Sequence, residues 1–229
     1  FLEYLSDFTV TAVVSSKPDD VNRALPNAIM YASLEEAFDS QKFDLVVITT
    51  PNHLHSSQAF LALTHGCHVL VEKPFTLSTK DAEQLVSLAN KKNKRLCVFH
   101  NRRFDGDFLT LKQLMEEGRL GKIKRFESRF DRFRPVPRNR WRENAGPGSG
   151  IFWDLGPHLI DQALQLFGKP KAVSANVLIL RDGGQSDDTF DITLHYSDKV
   201  VTLGSSAFQA GATLRFDLQG TKASYRKFY

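Results

Sequence analysis

Glu72-Lys73-Pro74 follows directly on the apolar run His68-Val69-Leu70-Val71, which sets a lysine and a proline where a buried strand ends. In doubly wound α/β proteins, ligands bind in the crevice outside the carboxyl ends of the strands, so an ammonium at that tip faces chemistry and not bulk solvent. Proline fixes its own backbone and removes a donor, and a cis bond before it would make a tight turn that aims the preceding side chain. The ordinary alternative is a strand-terminating proline after a solvated lysine.

Working outward, β-branched runs at Phe8–Val14, Phe43–Thr49 and Arg95–Phe99 read as further strands. Helical patterns lie between them. Ser33 with Glu36 three residues on forms a capping box, Leu54–Leu63 is a second helix, and Ser78 opens a third that ends in Lys91, Lys92 and Lys94. Strands alternating with such helices predict a parallel sheet of βαβ units. After Asn101 the pattern changes. A helix over Phe108–Met115 precedes a long strand over Lys122–Phe133, a Gly/Pro-rich loop at Gly146–Gly150 and a helix over Asp154–Phe167. Strand-like stretches then follow near Val173–Leu180, Phe190–Tyr196, Val200–Ser206 and Leu214–Leu218. The expected fold is therefore α/β, with a Rossmann-like parallel sheet over 1–101, joined to an α+β domain with an open, mainly antiparallel sheet over 102–229. No G-x-G-x-x-G turn occurs in the chain, Phe1–Leu5 resembles the last turn of a helix, and Thr221–Tyr229 begins a further strand. Segments at both ends are expected to be absent from this sequence, among them a first strand and its Gly-rich turn.

With 41% hydrophobic residues over 229 positions, the chain can bury a substantial core, enough for one large or two modest domains at about 100–200 residues each. No apolar run approaches the roughly 18 residues that span a bilayer, and the N-terminus lacks a signal-peptide pattern. Cys67 and Cys97 stand far apart, each in or beside an expected strand, which fits buried reduced thiols better than a disulfide or a metal site. A cytoplasmic location follows. Between Arg119 and Glu143 stand ten Lys or Arg against three Asp or Glu, so against a whole-chain net charge of +4 the rest of the chain is net negative. Phe126, Phe130, Phe133 and Trp141 interleave with that basic segment. Nucleic-acid binding, a cradle for an anionic cofactor and a half-exposed strand with an Arg-rich loop are its possible readings.

The second informative stretch runs from Gly150 to Asp161 and contains Asp154 and His158. Four residues apart on a helix, they share one face. Asp154 can cap the helix, with Pro157 tolerated in the first turn. The dipole's positive end favours a neutral imidazole there, suited to general-base work. The plain alternative is an N-cap aspartate and a satisfied core histidine.

Together with Thr50-Pro51-Asn52-His53-Leu54-His55, Asn101-Arg102-Arg103-Phe104 and Trp141-Arg142, these two stretches resemble the Gfo/Idh/MocA oxidoreductases in order and spacing over nearly the whole chain. The resemblance implies a Rossmann domain, a second domain whose open sheet covers the active site, and hydride exchange between NAD(P) and a carbinol carbon of a sugar or polyol. Lys73, Asp154 and His158 match the family's catalytic set. Their expected roles are charge stabiliser, orienter of the imidazole or substrate ligand, and acid/base. Asp161 is expected to stabilise the helix. Thr50, Asn52, His55, Glu72, Lys73 and Asn101 match positions near the nicotinamide half, and Trp141-Arg142 a loop that reaches over the cofactor. Ser15, Ser16 and Lys17 stand where NAD-preferring folds commonly offer an acid, and two hydroxyls with a cation suit a 2′-phosphate, so NADP is expected over NAD. The segment Arg132-Phe133-Arg134-Pro135 through Trp141-Arg142, followed by Gly146-Pro147-Gly148-Ser149-Gly150, is similar to that of the bacterial branch that includes NADP-dependent scyllo-inositol dehydrogenase. The resemblance further implies a homodimer or homotetramer, a small-molecule substrate, and no nucleic-acid or membrane partner. A non-catalytic nucleotide-sensing protein on the same fold is the rival reading.

Overall fold

A computed structural model describes residues 5–229, so the expected helical turn beginning at Phe1 lies outside the described residues up to Tyr4. The first half alternates strand and helix: β1 (Ala12–Val14), α1 (Pro18–Ala24), β2 (Ile29–Tyr31), α2 (Leu34–Ser40), β3 (Leu45–Ile48), a 3-10 turn (Asn52–Leu54), α3 (His55–Thr64), β4 (His68–Glu72), α4 (Thr79–Lys91) and β5 (Leu96–Phe99). β1 runs parallel to β2, and β3, β4 and β5 form a second parallel set in that order. Among the described residues the other edges of β1 and β3 are unpaired, and both strands line one groove of about 550 Å³.

The expected strand from Phe8 shortens to Ala12–Val14 because only those residues find ladder partners, in β2. Neither α1 nor β2 is expected from the pattern, although α1 opens on Pro18 with Asp19 and Asp20 in its first turn, a legible helix start. Ser33 caps α2 by accepting the Glu36 N–H at 3.1 Å, and the Glu36 carboxylate accepts the Ala32 N–H at 2.8 Å. Ser78 caps α4 in the same way, through the Asp81 N–H.

Val69 and Val71 of β4 pack against Ala59 and Leu63 of α3 and against Leu85 and Ala89 of α4. Cys67 is buried, but Cys97 is exposed, against the expectation that both are inside. The pleat explains it: on the edge strand β5, Leu96 and Val98 point to this core and Cys97 to the opposite face.

The second half comprises α5 (Gly106–Glu116), β6 (Ile123–Arg129), α6 (Ile151–Phe167), β7 (Ala172–Leu178), β8 (Thr189–His195), β9 (Val200–Ser206), β10 (Leu214–Gly220) and β11 (Ser224–Phe228). Its six-stranded sheet has the order β11-β10-β6-β9-β8-β7, antiparallel except for the β6–β9 pair. The expected strand over Lys122–Phe133 ends at Arg129, and Phe133 keeps only an isolated bridge to Phe208. Leu111 of α5 and Leu155, Leu159 and Ala163 of α6 cover one sheet face, meeting Phe126, Phe190, Leu203 and Phe216. β7 is exposed along its whole length. No helix is long and apolar enough to cross a membrane, among the described residues.

One cation lies inside this core. The Arg215 guanidinium carbon stands 3.9 Å from the ring centroids of both Phe130 and Phe216, and its nitrogens donate to Ser128 Oγ and Gln162 Oε1 at 2.6 Å each. Burial pulls its pKa down to about 10. Arg215→Ala leaves a cavity and two orphaned polar groups, and is expected to destabilise the protein by about 3–5 kcal/mol. A lower denaturant midpoint at unchanged slope would show it; a loss below about 1 kcal/mol would contradict the packing role.

Candidate active site

α6 begins at Ile151, three residues before the expected start, so Asp154 is not its N-cap and Pro157 lies within the helix. Gly150 takes the cap with a φ of 95°, in space where an added Cβ would overlap the Asp187 carboxylate. Asp187 supplies the missing cap: its carbonyl accepts the Ile151 N–H at 2.8 Å and its carboxylate the Phe152 N–H at 2.6 Å. Pro157 lacks the N–H that would bind the Trp153 carbonyl and disturbs the helix at that turn. There the ammonium of Lys73 enters from the end of β4.

Lys73 Nζ donates to the Asp154 carbonyl at 2.7 Å and to Asp154 Oδ1 at 3.2 Å. An ammonium has three donors, so one remains for a ligand oxygen. The Lys73–Pro74 bond is cis. His158, one turn beyond Asp154, is 5% exposed, and its Nδ1 has no hydrogen-bond partner among the described residues. Burial, and then the positive charges of Lys73, Arg102 and His100, lower its pKa to about 3 against the opposing pull of Asp154. The imidazole is therefore neutral. Asp154 does not hold it: that carboxylate faces Lys73 and, at 3.6 Å, Arg142 Nε. Burial opposes its ionisation, but Lys73, Arg142 and Arg132 outweigh burial and keep its pKa below the ordinary range. The structure thus makes Asp154 a partner of the lysine, where the spacing suggested a partner of the histidine.

The other expected site residues fall into three groups. Thr50 and Glu72 are half-buried at the carboxyl ends of β3 and β4, with Thr50 Oγ1 donating to Gln58 at 2.6 Å. Asn101 is exposed just past β5. Asn52 and His55 are engaged internally. Asn52 Nδ2 donates to the Gly148 carbonyl at 2.9 Å, and a Cβ at Gly148, whose φ is 73°, would press on Asn52 and Leu77. His55 is fully buried, with its two ring nitrogens 2.7 Å from the Pro74 carbonyl and 2.9 Å from the Thr50 carbonyl. Its ring nitrogens both face backbone carbonyls near the ends of β3 and β4. Ser15, Ser16 and Lys17 follow β1 away from these groups in sequence, with Ser15 Oγ accepting the Lys17 N–H at 3.1 Å. Arg142 lies over the exposed Trp141, 4.4 Å from the ring centroid.

Two features lie outside these expectations. Asp161 accepts a bidentate pair from Arg103 at 2.7 and 2.6 Å, so its role extends beyond its own helix to the end of β5. His100, at the same strand end, has a buried Nδ1 without a hydrogen-bond partner among the described residues. The Asn101-Arg102-Arg103-Phe104 motif marked this region, but charge pairing over 58 positions leaves no local pattern. Among the described residues no three His, Cys, Asp or Glu side chains converge as metal ligands.

Comparison with known proteins agrees with this architecture. Residues 1–100 match the oxidoreductase family with an NAD-binding Rossmann fold, and residues 108–226 match the GFO/IDH/MocA C-terminal domain. The chain is 45% identical to the uncharacterized oxidoreductase YdgJ of Escherichia coli over 95% of its length, and 37% identical to the NADP(+) scyllo-inositol 2-dehydrogenase IolW of Bacillus subtilis over 99%. It spans 63% of the length of each of these relatives. The crystal structure of yvaA from Bacillus subtilis superposes with a TM-score of 0.93 at 36% identity, covering 99% of this chain and 64% of that one. Conserved order of both halves, with the same sheets, makes this chain a member of the GFO/IDH/MocA oxidoreductase family.

Proposed function

We propose that the protein is an NAD(P)-dependent dehydrogenase that exchanges hydride with a carbinol carbon of a sugar or inositol-like polyol, with Lys73 as charge stabiliser and His158 as acid/base. The observation that carries this reading is the Lys73–Asp154 contact at 2.7 Å, which brings a β4-end ammonium to the turn of α6 that bears His158. The residues at the carboxyl ends of the strands fit a nicotinamide cofactor. Thr50, Glu72 and Lys73 stand together there, and the buried Nδ1 atoms of His100 and His158 lack the partners that a filled site would supply. Trp141 and Arg142 would cover that half, and Ser15, Ser16 and Lys17 would meet the adenosine end, with NADP preferred over NAD. When bound, the cofactor accepts or returns the hydride.

The chain's own residues handle the proton. In oxidation neutral His158 removes the hydroxyl proton, and the free donor of Lys73 stabilises the oxygen as charge grows on it. In reduction the protonated imidazole returns it. The negative charge forming beside His158 opposes the surrounding cations and raises its proton affinity at the moment it is needed. Asp154 fixes the lysine. The exposed β7 edge sheet supports assembly as a homodimer or homotetramer.

Following nicotinamide absorbance across inositols and aldoses tests the assignment. Turnover is expected with at least one polyol, with kcat/KM at least about tenfold higher for NADP than for NAD, the discrimination one charge-assisted phosphate contact supplies. A preference for NAD would remove the role given to Ser15–Lys17. Tight cofactor binding with no hydride transfer to any polyol would favour the nucleotide-sensing reading.

A further inference from the structure

The basic segment is not uniform in the fold. Arg119, Arg125, Arg129, Arg140 and Arg142 each have a carboxylate within 4 Å. Arg132 and Arg134 have none among the described residues, yet both are half-buried and line a pocket whose wall also contains Arg142 and Asp154. The carboxylates that border this pocket are already engaged. Glu143 lies between Arg140 and Arg181, Asp154 between Lys73 and Arg142, and Asp187 accepts the Phe152 N–H. Burial, and then the like charges of Arg132, Arg138 and Arg140, press the Arg134 pKa below its usual range. Five arginines against three carboxylates line the pocket, and the excess of half-buried positive charge is relieved by an anion.

Size and position select which anion. The pocket holds about 40 Å³, room for roughly three waters where each needs about 10–15 Å³. A carboxylate, with three heavy atoms, fills that space, and guanidinium forks match its geometry. Asp154 is the shared wall: it lines the pocket, and its carbonyl and carboxylate hold Lys73. Asp154 thus borders both the anion pocket and the proposed reacting centre. We propose that the substrate is a sugar acid or carboxylated polyol, whose carboxylate is held by Arg132 and Arg134 while its carbinol carbon lies at Lys73 and His158. The placement of the carbinol rests on the dehydrogenase reading; the carboxylate pocket rests on the arginines.

Two measurements separate these parts. Glucuronate, glucose and glucose 6-phosphate are compared as substrates with NADP in the full-length protein. The ratio of kcat/KM for glucuronate over glucose is expected to exceed about ten and to fall about ten- to a hundredfold in Arg132→Gln and Arg134→Gln. Arg132→Lys keeps the charge without the fork and is expected to give an intermediate ratio, which distinguishes lost recognition from lost folding. Glucuronate is also titrated without cofactor, following tryptophan emission, to which Trp141 beside Arg142 contributes. Saturable quenching that both glutamine variants weaken supports the pocket. Quenching without hydride transfer to any substrate keeps the pocket and removes the dehydrogenase reading. Turnover of glucose and glucuronate at equal kcat/KM, a preference for glucose 6-phosphate, or substitutions that raise the KM for NADP as much as that for glucuronate would each overturn the proposal.

Discussion

His158→Ala is expected to lower kcat for alcohol oxidation by about 10²–10⁴-fold, the usual contribution of a positioned general base. The buried ring sits one turn from the Lys73 contact, and burial, then the charges of Lys73 and Arg102, hold its pKa down to about 3. The same environment acts on stability. The folded-state pKa of about 3 lies below the ordinary 6.5, so between those values the unfolded chain binds the extra proton and stability rises with pH. His158 therefore costs stability progressively as pH falls from 6.5 toward 3 and contributes no such penalty above 6.5. In His158→Ala that component of acid sensitivity should disappear, measured as a flatter dependence of the unfolding midpoint on pH in this window. A variant with near-normal kcat would remove the imidazole from the chemistry.

Lys73→Met is expected to lower kcat by about 10²–10³-fold, the range found when one donor to a developing oxyanion is removed. It also deletes the largest of the neighbouring charges that depress the His158 pKa, so that pKa should rise. In the oxidation direction the acid limb of kcat/KM then moves to higher pH, because the base becomes protonated sooner. Lys73→Arg is not expected to restore activity, since the longer, planar guanidinium does not place its N–H groups where the compact ammonium places them. An unchanged pH profile with reduced kcat would mean that the lysine acts on the substrate alone, without influencing the histidine.

Much of this arrangement was readable in the chain, and the parts that were not share a cause. β4 and its Glu72-Lys73-Pro74 ending, the capped helices α2 and α4, and the pairing of a parallel with a mainly antiparallel sheet all follow from local periodicity and caps. The start of α6 did not, because its first N–H groups are satisfied by Asp187, some 35 positions downstream, so the nearby Asp154 looked like the better cap. The contacts of Asn52, His55 and Asp161 with Gly148, Pro74 and Arg103 likewise reach across distant positions. The aromatic cage of Arg215 is a tertiary fact with no linear signature. Cys97 differs for a simpler reason: alternation tells which residues share a face, not which face is covered.

The Lys73–Asp154 and Arg103–Asp161 pairs tie strand ends of the first half to a helix of the second. Acid and cation are thus mounted on separate bodies. These two charge pairs therefore fasten the junction at which the proposed reacting groups meet.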